Sequence, residues 1–412
     1  MMKKVFLGLT LLAVLAMPFA AKAQMNPIIT AMPSLSIAPD ARAGGMGDVG
    51  AATQPDLNSQ HWNAAKYAFM ESHGGITGNY TPWLRKLVND IDLAYVAGYY
   101  TISEMAGTLS ASFTYFSLGK VDITMIDGSF LQEAHPNEWA IDLAYSRKLH
   151  EYVSMAVALR FMYSDLNNGV NAAATGSATE MYPGMTAAAD VSLYYRQPIE
   201  IASGTSYFGL GLNISNLGGK ISYDQKVTQS FIPANIRLGV SYEIPFDKYN
   251  SLTINADINK YLVPTRNNKF AVDENGDPLT GQQLTDWYSG VSSPRGWFMS
   301  FHDAPGYTYT DNNGNLKQVS PALEELQEIQ FGVGLEYSYD KKFFARAGYS
   351  HENTYKGNRR YATVGAGFHL SIVSLDVAYV IATAASNPLD QTLRFTLGFD
   401  LAGIKDLVNN KK

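Results

Sequence analysis

Cysteine is absent from the 412 residues, which excludes disulfides and thiolate-held metal or redox centres. Charge is scarce too, at 17% Asp, Glu, Lys and Arg. The formal net charge of −6 lacks the basic excess that a nucleic-acid partner requires. Beyond the first residues no apolar run approaches the roughly 20 residues of a membrane-spanning helix. The seven histidines are scattered without metal-ligand spacing, and no G-x-S-x-G elbow occurs. These absences leave no cofactor, no metal and no catalytic constellation to assign, so the chain reads as non-enzymatic.

What is present begins with Met1-Met2-Lys3-Lys4, an apolar run from Val5 to Ala16, and Ala21-Lys22-Ala23 ahead of Gln24. A basic start, an apolar core and small residues at −3 and −1 read as a secretory signal peptide, residues 1–23. A transmembrane anchor is the alternative, but the run is short for a span. Loss of Lys3, Lys4 and Lys22 takes the formal charge from −6 to −9. Glycine (35) and tyrosine (26) are abundant. An exported, cysteine-free chain of this composition fits an outer-membrane β-barrel, with a soluble periplasmic β-protein as the alternative.

Period-two alternation decides between them. Leu393, Phe395, Leu397, Phe399 and Leu401 oppose Arg394, Thr396, Gly398 and Asp400, and Ile236, Leu238, Val240, Tyr242 and Ile244 oppose Arg237, Gly239, Ser241 and Glu243. Successive strand side chains point to opposite faces, so each segment has one apolar and one polar or small face. Fourteen such segments are predicted, near 74–80, 91–100, 105–118, 138–149, 153–165, 187–197, 205–217, 234–245, 251–263, 329–339, 343–349, 361–370, 373–383 and 392–401. Even-numbered connections are short and odd-numbered ones mostly long, which matches short periplasmic turns and long outer loops. The predicted fold is all-β: a 14-stranded antiparallel transmembrane β-barrel over 74–401, an N-terminal lumenal plug over 24–73, and a periplasmic tail over 402–412. Both termini are expected in the periplasm. Polar-face charges such as Asp142, Arg160, Asp257, Glu336, Arg346 and Arg394 are then lumenal, either bracing the wall as salt bridges or lining a substrate pathway.

A barrel of this size is too wide for side chains alone to fill. The stretch Asp40 to Tyr67 is the candidate plug, with Arg42, Gly44, Gly45, Gly47, Asp48, Trp62 and Asn63 as its key residues. Glycines at this density suit close passage of backbone against backbone, and Trp62 and Tyr67 supply large anchors. The segment is expected in the periplasmic half of the lumen. Gly45-Met46-Gly47-Asp48-Val49-Gly50 matches G-x-G-x-x-G, but it does not sit inside a βαβ unit and is rejected as a dinucleotide site. Asp273, Asn275 and Asp277, like Asp311, Asn313 and Asn315, alternate as calcium ligands do. Asn275-Gly276 and Asn313-Gly314 are more simply hairpin turns.

The longest connection, 264–328, carries Trp287, Tyr288, Trp297, Phe298, Phe301, Tyr307 and Tyr309. Aromatics of this density mark a partner-binding surface. A lid folded onto itself over the barrel mouth is the competing reading.

The passages Ala38-Pro39-Asp40-Ala41-Arg42-Ala43-Gly44-Gly45-Met46-Gly47-Asp48, Asn58-Ser59-Gln60-His61-Trp62-Asn63-Ala64-Ala65-Lys66-Tyr67-Ala68-Phe69, Tyr80-Thr81-Pro82-Trp83-Leu84-Arg85 and Asp142-Leu143-Ala144-Tyr145-Ser146-Arg147-Lys148 resemble the PorV (LptO) family. That family is an outer-membrane component of the type IX secretion system of Bacteroidota, on the barrel of the FadL superfamily. Ala64 departs from the family, which usually has proline there, and this bears on a local turn. The resemblance implies a role without catalysis. Cargo with a type IX C-terminal signal domain would be bound at the translocon barrel and carried to a surface sortase complex for attachment to lipopolysaccharide. The alternative is a FadL-like transporter of small hydrophobic molecules.

Overall fold

The computed structural model describes residues 26–401 apart from 86–87, 125–128, 169–181, 225–226, 312 and 384–388. The signal peptide 1–23 and the tail 402–412 lie outside the described residues. The first hairpins are β1 (Gly74–Pro82), β2 (Asp92–Ser103) and β3 (Gly107–Ser117), followed by an outlying hairpin of β4 (Val121–Thr124) and β5 (Phe130–Ala134). Next come β6 (Asn137–His150), β7 (Val153–Asp165), β8 (Gly184–Ile201), β9 (Gly204–Gly218), β10 (Asn235–Pro245) and β11 (Asn250–Tyr261). After a second outlying hairpin, β12 (Tyr307–Thr310) and β13 (Leu316–Val319), the wall resumes with β14 (Gln330–Tyr339) and β15 (Phe343–His351). It finishes with β16 (Arg360–His369), β17 (Val373–Ala382) and β18 (Leu393–Asp400). Fourteen strands close into one barrel in the order β1-β18-β17-β16-β15-β14-β11-β10-β9-β8-β7-β6-β3-β2, with β1 pairing antiparallel to β18 from Gly75↔Asp400 to Tyr80↔Phe395.

Burial runs opposite to that of a water-soluble sandwich. On β18, Leu397 is 42% exposed while its neighbour Thr396 and the guanidinium-bearing Arg394 are buried. The apolar face therefore points outward, where a bilayer rather than water is its natural solvent. Aromatic side chains gather on the outer wall at both ends. Phe113, Trp139, Phe161 and Tyr163 cluster near the long connections, and Tyr339, Phe343 and Phe368 near the short turns. Two such girdles are the signature of an outer-membrane barrel. No helix among the described residues is long and apolar enough to cross a membrane. A tight turn joins β14 to β15, with Asp340 and Lys341 both at positive φ and the Lys342 N–H donating to Tyr339 O at 3.0 Å. This is the mirror-image turn that matches strand twist.

Inside the wall the N-terminal segment runs the whole length of the lumen. Asn26 lies among the long connections, where its N–H donates to Tyr355 O at 3.1 Å. A one-turn 3-10 helix at Pro33–Ser36 leads inward. Two short helices follow, α1 (Ala41–Gly44) and α2 (Ser59–Trp62), then a second 3-10 helix, Ala64–Phe69, that delivers the chain to β1 at the short-turn end. The expectation of a plug confined to the periplasmic half is thereby corrected, because residues 26–37 reach the long connections. The lumen is wide enough to be threaded end to end, and residues 26–37 continue past the plug to the opposite mouth. Ala64 heads the second 3-10 helix, with the Asn63 side chain capping it. At that first position a proline would lose no needed N–H, so alanine serves the same geometry.

Candidate functional site

Asp40 organises the plug. It caps α1 by accepting from Ala43 N at 2.8 Å, and its other oxygen accepts from Trp62 Nε1 at 2.6 Å. Trp62 is buried against Ala38 and Ala43, so the two halves of the plug are fastened to each other before either meets the wall. Arg42 then reaches outward, donating through Nε and Nη2 to Glu336 on β14 at 3.0 and 2.8 Å and through Nη1 to Asp56 at 2.8 Å. Glu336 is shared with Arg346 of β15 at 2.6 Å, and Arg346 with Asp376 of β17 at 2.6 Å. Asp48 takes Arg394 of β18 and Tyr361 of β16, each at 2.5 Å. Asp257 of β11 accepts the N–H groups of Gly50 and Ala51 at 2.8 and 3.0 Å. Buried charges paired and hydrogen-bonded this fully brace a wall, whereas an unpaired one would be costly. Asn63 closes the set, donating to Ala51 O at 2.9 Å and to Leu193 O of β8 at 3.0 Å.

The plug glycines lie where the wall also has glycines. Gly47 has φ 72°, and a Cβ there would come within 2.6 Å of the Tyr349 carbonyl oxygen. A Cβ on Gly45 would meet Gly365 Cα at 3.1 Å, and one on Gly332 would meet Gly47 O at 2.7 Å. Gly44 leaves its space to the Arg394 side chain. Backbone thus packs on backbone between plug and barrel, with glycine on at least one side of each of these contacts. Above this layer a polar cavity of about 130 Å³ remains, bordered by His61, Asp48, Arg237, Arg394 and Asn216.

The 264–328 connection folds as a lid. Its helices are α3 (Gly281–Gly290), α4 (Ser293–Met299) and α5 (Pro321–Gln327), with β12–β13 between the last two. Tyr288 is the centre of a small core with Phe231, Tyr261, Val263, Val291 and Met299, against which Trp287 packs. Its hydroxyl donates to Pro264 O at 3.0 Å. Tyr307 and Tyr309 pack against Tyr355 with tilted rings, centroids 4.8 and 5.6 Å away, and Trp297 is half-buried. Phe298 and Phe301, by contrast, are 74% and 51% exposed. The seven aromatics therefore divide: five hold the lid together and two face outward.

Sequence reasoning missed α5, which is built inside out. Ser320 caps it, and Glu324 and Glu328 turn inward and are buried. Lys356 donates to Glu324 at 2.6 Å and to Glu328 at 2.9 Å, while Lys260 donates to Glu328 at 2.5 Å and stands 3.4 Å from Glu325. Leu323 and Leu326, on the outer face, are 46% and 63% exposed. The sequence signals were Ser320-Pro321, an N-cap followed by proline at the first helical position, and the pair Glu324 and Glu328, four apart as helix neighbours are. Asp303, Glu325 and Glu328 bring carboxylate oxygens within 4.8 Å of one another, but the Lys260 ammonium already fills the place a cation would take. Asp303 is fully buried. One of its oxygens accepts from Thr265 N at 2.9 Å, and the other has no protein partner among the described residues. Burial, then Glu328 and Glu325, push its carboxyl up to about 7. The calcium-like runs are simple turns, with Asp273 accepting from Asn275 N and Asp277 N at 2.8 and 2.9 Å, and Asp311 from Asn313 N and Asn315 N at 2.9 Å each.

Fold and site together define a class: an outer-membrane β-barrel whose lumen is threaded by its own N-terminal segment and roofed by one long connection. Within that class the chain belongs to the family of the type IX secretion system protein PorV, whose model matches residues 20–268. Among solved structures it is similar to the Pseudomonas putida toluene transporter TodX, at 10% identity over 88% of this chain and 97% of that one, with a TM-score of 0.49. The Ralstonia pickettii toluene transporter TbuX matches at 10% identity, 87% and 97% coverage and a TM-score of 0.46. A Pseudomonas aeruginosa FadL homologue does so at 10%, 91% and 99%, and 0.39. Likeness this distant carries no functional weight. A comparison with curated proteins gives no match.

Proposed function

We propose that the protein is a non-enzymatic outer-membrane carrier of type IX secretion. In this reading it takes the C-terminal signal domain of cargo at the translocon barrel and delivers it to the surface sortase complex, where cargo joins lipopolysaccharide. Residues 24–73 seal, 74–401 span, and the long-loop face recognises, with the tail 402–412 in the periplasm. The observation that carries this is the outward apolar set Phe298, Phe301, Leu323 and Leu326, raised on a lid whose inner face is charged and anchored. Exposed apolar surface held on a rigid support is characteristic of docking sites.

A transporter reading draws on a different feature. A cavity of about 380 Å³ opens at the short-turn end, bordered by Leu57, Phe69, Met70, Phe344 and Ile372 together with Arg196, Glu243 and Lys341. Its mixed lining suits an amphipathic molecule, but the salt-bridged plug stands between it and the lid. Deleting the gene separates the two readings. Loss of surface attachment across unrelated cargo is the expected result, and loss of growth on a single apolar nutrient with cargo intact would overturn it.

A further inference from the structure

The segment Asn26 to Ile37 is more than the approach to the plug. At its outer end Asn26, itself buried, donates to Glu324 Oε1 of α5 at 3.1 Å and to Asn267 O at 3.3 Å, and accepts from Asn267 N at 3.3 Å. Ala31 N then donates to Phe231 O at 2.8 Å. Met32 is buried with Ala140, Met162, Ala188, Ile221 and Ile232, and Ser34 donates to Glu138 of β6. Three residues past Ile37 comes Asp40, the organiser of the plug. One short stretch thus touches lid, loops, wall and plug in succession.

The element at its outer end is short and held by polar contacts rather than by apolar packing. α5 has seven residues, too few to be stable as an isolated helix, and its inner face offers charge rather than apolar area to hold it down. It stays in place through polar contacts: the Lys260 and Lys356 ion pairs, Asn26, and hydrogen bonds from Ala304 N, Gly306 N and Tyr307 Oη.

We propose that Asn26–Ile37 is a tie-rod that latches α5 and couples its release to the plug, so that drawing α5 outward loosens the seal below. The coupling is independent of which partner grips the outer face of α5. Hydrogen exchange on the full-length protein in nanodiscs tests it. With Asn26→Ala, amides of Pro321–Gln327 are expected to exchange about tenfold faster, the loss of a charge-assisted hydrogen bond, and amides of Ala41–Gly45 to speed up with them. Glu324→Gln attacks the same contact from the lid side and should loosen both regions likewise. A short Gly-Ser insertion between Thr30 and Ala31 slackens the rod while leaving both ends attached. In that background Asn26→Ala should speed exchange in α5 alone. Unchanged α5 exchange in both point variants, or a faster α5 over an unchanged plug without the insertion, overturns the proposal. Heat-modifiable migration on gels shows that each variant is folded.

Discussion

Met46 and Gly47 lie against bare backbone of β14 and β15, and Arg42, Asp48 and Asn63 each end on the wall. The lid, on the same barrel, presents Phe298 and Leu326 to the outside and is held by the Tyr288 core together with three carboxylates and two lysines. Plug and lid both carry buried ion pairs, but the plug adds a layer of backbone packed on backbone and the lid a small core around Tyr288. Close packing between backbones makes a second arrangement of the plug costly. Among the described residues the lid has no such backbone layer against the wall, and its buried ion pairs, whose desolvation offsets much of their attraction, favour one geometry and are costly to break. In the proposed reading, sealing falls to the plug and recognition to the lid.

The largest effect is expected from Gly47→Val. Its Cβ would strike the Tyr349 backbone at a positive φ that valine rarely adopts. We expect loss of at least about 3 kcal/mol, read as failed barrel assembly or entry of a large antibiotic such as vancomycin. Normal assembly with unchanged resistance would mean the plug is loosely fitted. Next comes Arg42→Ala, which removes one of the two cations on Glu336 and strands Asp56. Destabilisation of about 3 kcal/mol is expected in denaturant unfolding, and less than 1 would place the bracing elsewhere. In the lid, Asp303→Asn should act through pH. A carboxyl raised to about 7 from an ordinary value near 4 binds more protons folded than unfolded, so lid stability falls as pH rises from about 4 to about 7. Limited proteolysis across 264–328 should therefore quicken over that window in the native protein and stay flat in Asp303→Asn. A native rate independent of pH would show that Asp303 is ionised throughout. Smallest of all, Leu326→Ser should change stability by only about 0.5 kcal/mol, because its side chain already faces outward.

The barrel was readable because a membrane imposes the simplest of patterns. With lipid outside and a polar lumen inside, strands such as β18 alternate without exception from Leu393 to Asp400, and predicted and observed strand ends differ by at most a few residues. The plug residues were readable for a related reason, since clustered glycines with Trp62 nearby announce close backbone contact. Three features were not legible. The reach of Asn26 to the far mouth depends on lumen width, which no local pattern encodes. The hairpins β4–β5 and β12–β13 are short, and sit among loop residues without a buried face. α5 defied the reading because its apolar residues point outward and its acids inward, which depends on Lys260 and Lys356 arriving from distant strands. Of the seven lid aromatics, sequence treated all alike, and only tertiary packing separates buried Tyr288 from exposed Phe298.

The division between sealing and recognition is tested most directly by one variant, Phe298→Ser with Phe301→Ser and Leu326→Ser. Co-purification of a cargo C-terminal signal domain would be measured beside vancomycin resistance in the same cells. The account predicts a folded, sealed barrel whose cargo capture falls at least about tenfold, as loss of clustered hot-spot residues does. Undiminished capture by that folded, sealed variant would contradict it.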